Sequence, residues 1–304
     1  MQSIRDGVWP TMVTPFTEEG QIDLDALQAQ VAWYLDRQVD GLFAVCQSSE
    51  MFYLSLAERV GLAQTVVDQV DGRVEVIASG HISGNLEDQA EEVRRVADTG
   101  VDAVVLVTNR FAQEGEGDDV WVANLETFLE IIPDTIALGF YECPYPYKRL
   151  LTPEALSWCA SAGRFIFLKD TCCDLGQIRA KLAVAGDIKL YNANAATLLG
   201  SLQAGAAGYS GVMGNFHPQL YTWLCRNWQQ DPEGAARLQA FLGVSSALEA
   251  RAYPICAKYY LQLEGLPLTL TSRTRPATDL IDAFRHEMAQ LRMLTEEYEA
   301  VYRL

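Results

Sequence analysis

Lys169 ends a run of four apolar residues, FIFL (165–168), and Tyr141 ends another apolar run, IALGFY (136–141). An amine attacks a carbonyl only when unprotonated, and burial among apolar neighbours lowers a lysine pKa because the charged form loses its hydration. The iminium that results draws electrons from the adjacent carbon, so a C–C or C–H bond there can break. A phenol at the same height relays protons through the carbinolamine and imine steps. These two residue types at two equivalent strand ends therefore fit imine chemistry, with Lys169 as nucleophile and Tyr141 as general acid/base. No organic cofactor or metal is needed, because the lysine is the electron sink. The alternative for Lys169 is an ammonium that reaches solvent at a strand end, with Asp170 as a surface charge beside it.

A third polar cluster breaks an apolar run abruptly in AVCQSSE, at Gln47, Ser48, Ser49 and Glu50, just before the helical pattern YLSLAERV. A loop entering a helix exposes backbone N–H groups, which together with serine hydroxyls can hold a small carboxylate; the same serines would also serve as helix caps. Seven cysteines without a CxxC pair make neither a disulfide framework nor a zinc site. The adjacent Cys172 and Cys173 offer poor tetrahedral geometry. Histidines occur only at 81, 217 and 286, with no metal-binding spacing, so no metal site is expected.

These groups need a scaffold that brings strand ends together. Eight short apolar runs recur along the chain: 8–13, 41–46, 74–79, 103–108, 136–141, 165–169, 189–192 and 208–213. Amphipathic segments such as 24–38 and 85–100 lie between them, with apolar residues at helical spacing. Strands apolar on both faces and alternating with helices predict a parallel sheet. Eight such units in 304 residues predict an α/β fold of the (β/α)8 TIM-barrel type. A dinucleotide-binding fold would need a glycine-rich turn after the first strand, and TPFTEEGQID has none. The barrel is expected over 1–225 and a C-terminal helical region packed on it over 226–304, with Pro254, Pro267 and Pro276 marking its turns.

A formal charge of −17 disfavours nucleic acid and anionic membrane surfaces as partners. The opening MQSIRDGVWP does not read as a signal peptide, and no apolar run approaches the roughly 20 residues of a membrane span. A soluble, cytoplasmic protein acting on a small molecule is expected.

In order along nearly the whole chain, GVWPTMVTPF, DGLFAVCQSSE, YECP, FLKD and GAAGYSGVMGN resemble the dihydrodipicolinate synthase and N-acetylneuraminate lyase family of pyruvate-dependent class I aldolases. The resemblance implies that Lys169 is the Schiff-base lysine and Tyr141 the proton-relaying tyrosine. It also implies a 2-oxo acid held near Gln47, Ser48, Ser49 and Ser210, and a homo-oligomer, a tetramer or a dimer. The family loop G-[ST]-T-G-E reads here Cys46-Gln47-Ser48-Ser49-Glu50, so only Ser48 keeps a hydroxyl at the two relay positions. Phe111 stands where the synthases place a tyrosine that reaches the neighbouring subunit's site, and Pro146 where they place a carboxylate-binding arginine, with Lys148 and Arg149 just beyond. Asn194 and Ala195 replace the acidic residues with which sialic acid lyases grip sugar hydroxyls. The expectation is a Schiff-base lyase or aldolase with a different second substrate, its pocket lined from among Phe52, Tyr53, Phe111, Glu142 and Asn192. The alternatives are a dehydratase of a sugar-derived 2-oxo acid and an inactive 2-oxo-acid-binding homologue.

Overall fold

A computed structural model describes residues 3–304. Eight parallel strands form one sheet: β1 Gly7–Val8, β2 Gly41–Val45, β3 Glu75–Ala78, β4 Ala103–Val107, β5 Leu138–Tyr141, β6 Phe165–Asp170, β7 Lys189–Asn192 and β8 Gly208–Tyr209. Their order is β1-β8-β7-β6-β5-β4-β3-β2, and the bridge between Thr11 and Phe43 closes the circle. This is the (β/α)8 barrel that the alternation predicts.

The first and last strands are shorter than their apolar runs. Pro10 has no N–H to give to a ladder, so regular pairing of β1 with β8 stops after Val8. The chain then leans toward β2, where Met12 N donates to Phe43 O (3.1 Å) and Phe43 N to Pro10 O (3.0 Å). β1 and β8 meet so closely that a Cβ on Gly208 would lie 1.8 Å from the Gly7 carbonyl oxygen, so only glycine fits there. β8 ends early because the chain turns into a 3-10 turn at Val212–Asn215.

Helices α1 Leu24–Asp36, α2 Leu56–Val70, α3 Leu86–Ala97, α4 Asp118–Ile131, α5 Pro153–Ala162, α6 Leu175–Leu182, α7 Leu198–Gln203 and α8 Pro218–Asn227 follow the strands in turn. Their starts are written in the sequence. Ser55 and Glu58 make a reciprocal capping box at α2, and Asn85 caps α3 by accepting from Asp88 N. Three more helices complete the chain: α9 Pro232–Ser245, α10 Ile255–Leu263 and α11 Asp282–Tyr302. Pro254 is the N-cap of α10, and Pro276 starts the turn Ala277–Asp279. Among the described residues no helix is long and apolar enough to cross a membrane.

Aromatic rings fill the barrel beneath the strand ends. Phe167 stacks on Tyr191 (4.7 Å between centroids) and meets Phe43 edge-on at 6.1 Å, and Phe43 in turn meets Tyr141 at 6.0 Å. The floor under the C-terminal mouth is thus built of packed rings.

Candidate active site

Tyr141 and Lys169 are register partners on β5 and β6. Both side chains point into a cavity of about 450 Å³ at the C-terminal end of the barrel, where barrel enzymes place their chemistry. A larger hollow of about 800 Å³ opens at the other end. Its one lysine, Lys189, is held by Asp6 at 2.7 Å.

Lys169 is only 3 % exposed and makes no ion pair with any described residue. Its nearest neighbours are faces of rings: Nζ lies 4.3 Å from the Tyr141 centroid and 5.8 Å from that of Phe43. Burial lowers its pKa from the ordinary lysine value, with Cys46, Cys143 and Glu249 opposing weakly. Burial also pushes Tyr141 well above the usual phenol value, so the phenol keeps its proton at neutral pH. An amine held toward its neutral form beside a protonated phenol is what imine formation requires.

The loop after β2 divides its residues between pocket and scaffold. Gln47 and Ser48 line the cavity. The Gln47 side-chain carbonyl accepts from the Tyr141 hydroxyl (3.2 Å) and from the Cys143 thiol (3.4 Å). Ser48 Oγ donates to Thr11 Oγ1 at 3.2 Å. Ser49, expected to hold substrate carboxylate, does not face the cavity. Its N–H donates to Cys46 O (3.1 Å). Its hydroxyl lies between Met12 O (3.0 Å) and Ala44 O (2.9 Å) and accepts from Cys46 N (2.9 Å). Every polar group of Ser49 is spent on shaping the loop. Glu50, at φ 62°, reaches the C-terminal region instead: Oε1 meets Lys258 Nζ at 3.0 Å, and Oε2 accepts from Ser272 Oγ, Arg273 N and Thr274 N.

Phe111 is also placed differently from expectation. It is 1 % exposed, stacked on His81 at 5.1 Å and packed edge-on against Phe128 and Trp121. The 3-10 turn Thr108–Arg110 after β4 swings the following side chain into the helical layer, so Phe111 belongs to this chain's own core and neither lines the cavity nor faces a neighbour. Ser210 is buried with its hydroxyl unpaired, and the residues that line the cavity there are its neighbours Gly211 and Val212.

Of the other expected lining residues, Phe52 and Tyr53 are present in the wall, with Phe52 edge-on to Tyr145 at 4.8 Å. Glu142 and Asn192 are not. Asn192 bonds Thr197 and Ser201 at 3.0 and 3.1 Å. Glu142 and Asp170, one residue beyond Tyr141 and Lys169, point to the outer face of the strands, where Lys181 of α6 bonds both, Asp170 at 2.6 Å. Asp170 is therefore no surface charge; it is fully buried. Of the two cations after Pro146, Lys148 lines the cavity and donates to Thr171 O, whereas Arg149 turns away to Asp118 at 2.7 Å.

Among the cavity residues that escaped the sequence reading, Glu249, Tyr253 and Thr274 come from the C-terminal helical region. No local signal marks them, because they reach the mouth only through long-range packing.

A family model described as the dihydrodipicolinate synthetase family matches residues 5–293. The chain belongs to this family. It is 29 % identical over 251 residues to a 4-hydroxy-tetrahydrodipicolinate synthase of Jannaschia sp. (strain CCS1), covering 81 % of this chain and 78 % of the relative. It is 28 % identical over 262 residues to the protein of the same name from Bacillus subtilis (strain 168), covering 84 % and 88 %. Among solved structures, YagE, a prophage protein of the family from E. coli K12 in complex with pyruvate, superposes with a TM-score of 0.85 over 97 % of this chain and 98 % of its own, at 23 % identity. At that identity the likeness speaks for the fold.

Proposed function

We propose that the chain is a Schiff-base-forming lyase or aldolase that takes pyruvate or a related 2-oxo acid, with a second substrate other than that of the synthases it resembles. The observation that carries the reading is the unpaired, buried Lys169 amine against the Tyr141 ring at the barrel mouth. Lys169 adds to the 2-oxo carbonyl, and the carbinolamine loses water with Tyr141 passing the proton. The iminium then accepts the electron pair of a C–H or C–C bond at the neighbouring carbon. Gln47 and Ser48 face the same cavity and supply polar contacts to the 2-oxo acid. The reading of a different second substrate rests on Pro146 in place of an arginine, on Arg149 being held by Asp118, and on a wall of Phe52, Tyr53, Tyr145 and Tyr253.

A second reading, a homologue that binds a 2-oxo acid without turning it over, draws on one specific feature: the Tyr141 hydroxyl donates to an amide carbonyl, which cannot carry the proton onward. Borohydride trapping with pyruvate at neutral pH, followed by intact mass and peptide mapping, separates the two. One pyruvate-derived adduct on Lys169, absent from Lys169→Arg, is expected. A folded protein that yields no adduct while a related aldolase does so in parallel would overturn the covalent reading.

A further inference from the structure

The family resemblance comes with a proton relay through hydroxyls, and here that relay is broken in two places. Gln47 replaces a hydroxyl beside Tyr141, and Phe111 is sealed in the core. Imine chemistry still needs a base: to turn the pyruvate iminium into its enamine, something must take a proton from C3. The cavity contains the phenols of Tyr53, Tyr141, Tyr145 and Tyr253, the Cys173 thiol, two amines and two carboxyl groups. A protonated phenol is a donor and not a base. The Lys169 nitrogen is consumed in the imine, and the Lys148 amine and the Cys173 thiol both donate to the Thr171 carbonyl.

The two carboxyl groups differ sharply. Both oxygens of Glu50 are occupied, by Lys258 on one side and by Ser272, Arg273 N and Thr274 N on the other. Glu249, in the 3-10 turn Ser246–Ala250 that follows α9, lines the same cavity as Lys169, and its carboxylate makes no hydrogen bond or ion pair with any described residue. The ionisable groups within range of its charge are Lys169 from β6, Tyr209 from β8, Tyr221 from α8 and Cys256 from α10. All but the lysine are uncharged at neutral pH, their pKa values raised by burial. Burial raises the Glu249 pKa as well, with Lys169 opposing, which brings a carboxylate base closer in strength to the proton it must handle.

We propose that Glu249 is a further catalytic residue, the base that exchanges the C3 proton between the pyruvate iminium on Lys169 and solvent. The carboxylate takes a proton from C3, the C–H electron pair becomes the C2–C3 double bond, and the iminium π electrons move to the Lys169 nitrogen as a neutral enamine. The reverse step returns a proton, or a deuteron, from the carboxyl group to C3. This inference rests on the imine reading above.

The test uses pyruvate alone, so the second substrate need not be known. The full-length protein is incubated with pyruvate in deuterium oxide, and loss of the methyl proton signal is followed by NMR, alongside borohydride trapping of the same samples. Wild type is expected to trap and to exchange. Glu249→Gln is expected to trap on Lys169 as wild type does, which also reports that its site is folded, while exchange falls by about 100-fold or more, the usual worth of a positioned base. Glu249→Asp, which keeps the carboxylate on a shorter arm, should recover part of the rate. Trapping with unchanged exchange in Glu249→Gln overturns the role of Glu249 and leaves the imine intact. Loss of both in Glu249→Gln makes Glu249 a structural residue and overturns the proposal too. No trapping in wild type sinks the imine reading itself, and the Glu249 proposal with it.

Discussion

The ends of β5 and β6 place a buried lysine amine in each of two different environments. On the inner face, Tyr141 and Lys169 meet at the barrel mouth, and the amine has ring faces for neighbours. On the outer face, Glu142 and Asp170 hold another buried amine, Lys181, between them. Burial lowers the pKa of Lys169. At Lys181 burial acts the same way, but the two carboxylates outweigh it and the net shift is upward. Reactivity therefore comes from burial without a counter-charge in contact, since burial alone is common to both lysines. The outer triad has its own task. Glu142 accepts from Leu151 N (2.8 Å) and Thr171 N (2.9 Å), so it ties down the loops that follow both strands and fixes the height of the pocket wall.

The sharpest way to break this comparison is to remove each lysine in turn. Lys181→Met leaves two carboxyl groups buried with no cation and should cost about 3–5 kcal/mol. Lys169→Met removes an unpaired buried amine for a side chain of similar volume, and stability should hold or rise. Urea unfolding of both variants against wild type measures this directly. Equal losses at the two sites would mean that Lys169 has a counter-charge after all.

The inner face is tested by Tyr141→Phe. The ring remains against Lys169 and Phe43, while the hydroxyl that donates to Gln47 is lost. The rate of borohydride-trappable imine formation should fall by roughly 100-fold, the usual worth of acid/base catalysis. An unchanged rate would take the phenol out of the mechanism and leave Tyr141 as a packing residue.

The two faces also show what a sequence can and cannot tell. Lys169 and Tyr141 were legible because each closes an apolar run, and a strand alternates its side chains, so their successors had to face away. What the outer pair meets was not legible, because Lys181 lies on α6 and reaches back through packing. Ser49 and Phe111 were misplaced for a related reason. A position in a loop motif fixes where the backbone runs but not which way the side chain turns, and the tight turn around Ser49 and the 3-10 turn before Phe111 have no clear sequence period. Glu249 and Tyr253 lie far along the chain in a helical region whose own pattern speaks only of amphipathic packing. The barrel itself was written in local alternation, with the largest errors where Pro10 and the turn at Val212 cut the outermost strands short.

The rule that an unpaired buried base stays neutral can be checked away from the site. His81 and His217 are fully buried, and burial lowers both to about 3. His81 shows why: Nδ1 accepts from Val107 N (3.0 Å), leaving Nε2 to donate to Gln89 Oε1 (3.0 Å). A second proton on Nδ1 would point at an N–H. The unfolded imidazole titrates near 6.5, so between about 6.5 and 3 the unfolded chain binds protons that the folded chain refuses. The stability from these histidines is therefore fully present above pH 6.5 and is lost as pH falls through that window. By pH 5 the loss should be about 2 kcal/mol for each imidazole. Carboxylates paired in the folded state, such as Glu58 drawn to about 2 chiefly by its hydrogen bond to Arg273, act in the same direction, but their unfolded values lie near 4, so at pH 5 they contribute little. Glu142, pushed to about 7 chiefly by burial, takes up a proton in the fold over the same window and acts the other way. The histidines are therefore read by NMR, where neither imidazole should titrate between pH 7.5 and pH 5. Imidazole signals that titrate in that range would show that the two accept a proton inside the fold. Burial alone would then not suffice to hold Lys169 neutral either.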